Sequence, residues 1–174
     1  MPYWIWVFNL INIDEIDEEG LSRALAGSHL ETLCDQYNLD RALIAPSIQN
    51  LRVVAVNTTI SPFFLLFYRP KGERPLVIQS WNLNQGQDAG FWKHFLEKSQ
   101  PVAVEGHLSQ TRTVFGISLS SDQLQEMGLV FGYEVARWAA AQGGGLIRGL
   151  DGLWYRLNIH QAFIPLGGHQ STGS

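Results

Sequence analysis

Apolar side chains run almost without interruption through Tyr3-Trp4-Ile5-Trp6-Val7-Phe8, and aromatic and β-branched residues of this kind favour extended chain. The pattern predicts a first strand over 3–13. Two helical segments follow. Residues 18–26 are rich in helix formers, with Leu21 and Leu25 four apart on one face. Ser28-His29-Leu30-Glu31 matches a capping box, in which a serine oxygen and a glutamate satisfy free N–H groups at a helix start. That second helix is expected to run to about Tyr37. Residues 39–45 have helical spacing, and Pro46 is expected to stop any helix near Ala45.

Three strands are predicted next, at 51–58, 62–69 and 75–83, and then a helix at 89–99 whose Phe91, Trp92, Phe95 and Leu96 share one face. Residues 102–108 and 113–119 read as a hairpin around Gln110-Thr111-Arg112. The longest helix, 123–142, starts at a Ser121-Asp122 cap and carries an apolar stripe of Leu124, Gly128, Phe131, Val135 and Trp138. Gly143-Gly144-Gly145 ends it, because glycine takes the left-handed cap conformation at little cost. Strands at 146–149 and 153–164 are expected around an Asp151-Gly152 turn.

From Pro75 onward these elements read strand, helix, strand, strand, helix, strand, the ferredoxin-like βαββαβ order, over residues 75–165. Residues 1–70 give β-α-α-β-β. The expected fold class is α+β, with a largely antiparallel sheet and helices on one face. A single α+β domain is expected over 1–166, and the glycine- and serine-rich tail 167–174 is expected to be disordered.

A sheet with one wet face alternates apolar and polar residues along each strand. Phe63-Phe64-Leu65-Leu66-Phe67-Tyr68 does not alternate, and neither does Trp4-Ile5-Trp6-Val7-Phe8. A strand that is apolar on both faces needs a second cover: the N-terminal helices, a second sheet, or another subunit. Trp4, Trp6, Phe64, Leu66 and Tyr68 are therefore candidate interface residues, and a homodimer through the sheet is one expected arrangement. Gly128, Gly132, Ala136 and Ala140 recur every four residues along the long helix. This smooth ridge lets another backbone approach closely, and tight helix-on-sheet packing is its commoner use in a domain of this kind.

Composition sharpens the point. The 174 residues include 28 charged side chains and 20 aromatic ones, so apolar surface is plentiful and charged cover thin. The net charge of −4 divides unevenly, with −7 over residues 1–40 and +3 over the rest. Five acids lie between Asp14 and Glu19, where they suit a helix N-terminus or a basic partner. Nothing resembles the basic, aromatic-interleaved surface of a nucleic-acid binder, and no run is long and apolar enough to span a membrane. A single cysteine excludes a disulfide framework, and the expected location is cytoplasmic.

The chain has no CxxC, HExxH, GxSxG or phosphate-binding glycine loop, so no cofactor is expected. Glu105 and His107 would share one face of a strand at 102–108, where they could share a proton or a metal, with His160 brought near if the strands pair. Two or three such residues are too few to specify a metal site. Arg148 and Arg156 beside Trp154 suggest an aromatic-and-arginine platform for an anion, against simple strand alternation. Glu105, His107, His160, Arg148 and Arg156 are thus the ligand-binding candidates. The leading expectation is a non-enzymatic protein acting through self-association or a protein partner. A small-ligand binding domain is the alternative, with a small enzyme using Glu105 and His107 behind it.

Overall fold

A computed structural model describes residues 1–13, 15–27, 29–56, 63–71, 74–83, 92, 94 and 101–167. Eight strands form one antiparallel sheet in the order β2-β3-β4-β5-β1-β6-β7-β8. Their ranges are β1 (Tyr3–Asn9), β2 (Arg52–Val56), β3 (Phe63–Phe67), β4 (Leu76–Asn82), β5 (Thr113–Leu119), β6 (Leu146–Arg148), β7 (Trp154–Leu157) and β8 (Phe163–Leu166). The helices are α1 (Glu18–Leu25), α2 (Leu30–Gln36), α3 (Ile44–Gln49), α4 (Val102–Ser109) and α5 (Met127–Gly143). The α+β class and the antiparallel sheet follow the expectation from sequence. Among the described residues, no helix is long and apolar enough to cross a membrane.

Local chemistry explains most boundaries. Glu18 and Glu19 occupy the first turn of α1, where carboxylates offset the positive end of the helix dipole. Pro46 does not stop a helix; it sits in the first turn of α3, where its missing N–H would have had no partner. Ser28 of the anticipated capping box lies outside the described residues, as does most of the helix expected at 89–99; Trp92 and His94 are helical. Residues 121–125 form a 3₁₀ turn instead of the start of the long helix. Gln123 turns inward there to accept from Ser120 N at 2.8 Å and donate to Arg74 O at 2.6 Å. The long helix ends at Gly144, whose φ of 61° is left-handed, as the glycine run anticipates.

Two expectations need correction. Residues 102–108 are helix α4, not a strand, so the ferredoxin-like order is not reproduced and no hairpin joins 102–108 to β5. Residues 153–164 are not one strand either. A turn at 158–162, with Gln161 at φ 58° and Asn158 Oδ1 accepting from His160 N and Ala162 N, folds β8 back on β7.

The sheet has a core on each side. Ile5, Val7, Phe64, Leu66, Leu76, Ile78, Phe115, Ile117 and Leu119 pack beneath α1, α2 and α5. The α5 ridge does pack on the sheet: a Cβ on Gly132 would lie 3.3 Å from Leu119 Cδ1 and 3.4 Å from Ile5 Cδ1. On the opposite side Val104 and Leu108 of α4 pack with Trp92 on Phe8, Val114, Leu146 and Trp154. Helices therefore cover part of both faces, not one face alone.

Candidate functional site

The two sides of the sheet account for the aromatic strands. In β3, Phe64 and Leu66 are buried in the core beneath α1, α2 and α5, as is Tyr68 just beyond, whose ring lies 5.5 Å from Phe131. These three interface candidates are covered within the chain. Trp4 and Trp6 point the other way. They stack at 4.9 Å and 8°, and with Trp81 and Trp92 they form a four-indole cluster in which Trp6 lies 5.9 Å from Trp81 and 5.0 Å from Trp92.

The residues that alternate with Phe64 and Leu66 complete this outer face. Strand register aligns Val54, Leu65, Val77, Ser118 and Trp4 in one row across five strands. A second row runs Val56, Phe63, Gln79, Gly116, Trp6, and a third pairs Arg52 with Phe67. Val54, Val56, Phe63, Leu65, Phe67 and Val77 are all half-buried, and among the described residues none of them joins either core. Among the described residues Arg52 is the one charged side chain in these rows, with its guanidinium carbon 4.7 Å from the Phe67 ring centroid. Phe63, Leu65 and Phe67 were not singled out from sequence, because nothing local says which side of a two-sided strand the helices take.

The ligand candidates are placed differently. Glu105 and His107 lie on α4, where a spacing of two sets them about 200° apart around the axis, so they do not form an acid–base pair. Glu105 is exposed. His107 is half-buried with Nε2 2.8 Å from Phe8 O. A carbonyl only accepts, so that nitrogen carries the hydrogen and Nδ1 is left bare. Burial, partly opposed by the bond to Phe8, holds His107 below the usual imidazole range and so favours the neutral ring. His160 is exposed in the β7–β8 turn. Arg148 lies with its guanidinium carbon 5.8 Å from the Trp154 ring centroid, Trp154 is buried, and Arg156 is exposed on the same face of the sheet. His107 and Arg156 do meet in one place: both line an open cleft of about 480 Å³ at the C-terminal end of α5, together with Gly144, Gly145 and Asn158. Glu105, Arg148 and His160 do not line it.

Two further groups lie inside the helical layer. Cys34 is buried, its thiol donates to Met127 Sδ at 3.7 Å, and burial with nearby Asp35 pushes it up. This is a structural cysteine rather than a nucleophile. Glu134 and Arg137 form a buried ion pair within α5, with His29 Nδ1 4.0 Å from the same carboxylate. Burial pushes Glu134 up to about 7 against the pull of Arg137. Among the described residues, no group of three or more His, Cys, Asp or Glu side chains is placed to hold a metal ion.

Comparison of the chain with protein families, with curated proteins and with solved structures gives no match.

Proposed function

We propose that this protein works by self-association, a second copy packing its outer sheet face against the outer face of β2, β3 and β4. The observation that carries this reading is the patch of Val54, Val56, Phe63, Leu65, Phe67 and Val77, six neighbouring apolar side chains that join neither core among the described residues. Burying each of them more fully is worth on the order of 1 kcal/mol, so the patch supplies a driving force for association. Its chemistry also suits a copy of itself. Two antiparallel sheets stack with strands roughly aligned about 10 Å apart, and a flat apolar face fits another flat apolar face. Among the described residues Arg52 is the one charged side chain in these strand rows, and it lies over the Phe67 ring.

Leu65 lies in the middle of the patch, between Val54 and Val77. A lysine there would snorkel out of an isolated outer face but be trapped between stacked sheets. The Leu65→Lys variant is expected to keep the wild-type circular dichroism and melting behaviour in dilute solution and to lose concentration-dependent light scattering. A Leu65→Lys protein that scatters like wild type at every concentration would remove the face from the interface.

A further inference from the structure

The cleft at the end of α5 is separate from the apolar patch, and its polar groups are of a particular mixed kind. Arg156, an exposed side chain on β7, lines it with no hydrogen-bond or ion-pair partner among the described residues. That is an unmatched positive charge. The cleft is also lined by the C-terminal end of α5, the negative end of its dipole. Three of its last carbonyls are taken: Ala139 O by Asn9 Nδ2 at 2.8 Å, Ala140 O by Gly145 N at 2.9 Å, and Gly143 O by Leu10 N at 3.2 Å. Ala141, which lines the cleft, loses the donor that would continue the helix, because Gly145 N goes to Ala140 O instead. His107 adds a second acceptor, its bare Nδ1, since Nε2–H is committed to Phe8 O. Leu146, Leu157 and Ile159 supply apolar wall.

A simple anion would satisfy Arg156 but face the negative end of α5, and a simple cation would do the reverse. We propose that this cleft binds a zwitterion, a free apolar α-amino acid. Its carboxylate pairs with Arg156, and its ammonium donates to Ala141 O and His107 Nδ1. Its side chain lies on Leu146, Leu157 and Ile159. The residue types match each part: guanidinium for a planar carboxylate, carbonyl and imidazole acceptors for a donor-only ammonium.

Calorimetric titration of the full chain with L-alanine, L-valine, L-leucine, L-isoleucine and L-phenylalanine tests this. L-Leucinamide lacks the carboxylate and N-acetyl-L-leucine lacks the ammonium, so each removes one half of the proposed recognition. At least one free amino acid is expected to bind, its amide and acetyl counterparts at least tenfold more weakly. Arg156→Gln, a change at a side chain the fold does not use for pairing, is expected to weaken binding at least tenfold with unaltered melting temperature. No binding by any of the five at millimolar concentration, equal binding of N-acetyl-L-leucine, or undiminished binding by Arg156→Gln would each overturn the proposal. A fourth outcome, tight binding of L-leucinamide, would show that only the cation is read and would overturn it as well.

Discussion

Trp6 and Gly116 face each other across β1 and β5, and the indole fills the space a side chain on Gly116 would need: a Cβ there would lie 2.6 Å from Trp6 Cζ3. Trp4 and Trp81 also lean over this glycine, each with Cζ3 3.0 Å from the same point. One missing methyl group in β5 therefore lets three rings converge on the outer face. Gly116→Ala is expected to cost about 1–3 kcal/mol, the usual range for overpacking, because the rings must shift off a flat backbone. Urea denaturation measures the loss, and the near-ultraviolet circular dichroism of the tryptophans should change with it. An unchanged spectrum and midpoint would mean the cluster is looser than its geometry.

Gly132 poses a graded version of the same test. A Cβ there would sit 3.3–3.4 Å from Leu119 and Ile5 methyl carbons, close but accommodated by small movements of flexible side chains. Alanine also favours a helix by about 1 kcal/mol over glycine. Gly132→Ala should thus leave the melting temperature within a few degrees of wild type. Gly132→Leu should lower it sharply, since a branched side chain must lift α5 from β1 and β5. Equal melting temperatures for the two variants would contradict the role of the ridge.

The buried carboxylate of Glu134 links stability to pH. Its pKa is raised in the folded chain from 4.5 to about 7, so the folded state holds more protons than the unfolded state across that window. Stability contributed at this site therefore falls as pH rises from about 4.5 to 7. Glutamine keeps an oxygen for the Arg137 guanidinium without the ionisation. The stability of Glu134→Gln relative to wild type should therefore rise from pH 5 to pH 8, as the wild-type carboxyl ionises. Denaturation curves for the two proteins at several pH values measure the gap; a gap that stays constant would mean the carboxyl ionises freely.

Sequence patterning reached the sheet, α1, α5 and the glycine that ends α5, because each rests on local spacing or backbone freedom. It failed at α4, where Val102, Val104 and the nearby turn residues imitate a hairpin. The competing helical signal was the four-residue interval between Val104 and Leu108, both buried against Phe8 and Val114, with Gly106 on the open side. Val102 itself is 87 % exposed, so its β-branched character decided nothing. The candidate surfaces were half legible. Phe63 to Tyr68 announces a strand apolar on both sides, but only the placement of α5 determines that Phe64 and Leu66 are interior and Phe63, Leu65 and Phe67 are outward. The meeting of His107 and Arg156 depends on α4 packing against β1 and on the end of α5 lying beside β7, two long-range placements with weak local marks.

Self-association through the outer face of β2, β3 and β4 is most directly tested by sedimentation equilibrium of the wild-type protein from about 1 to about 100 μM, the range in which an interface of about 6–8 kcal/mol shows itself. The weight-average mass is predicted to climb from the 19.5 kDa of one chain towards twice that value. A constant 19.5 kDa across the whole range would contradict the account.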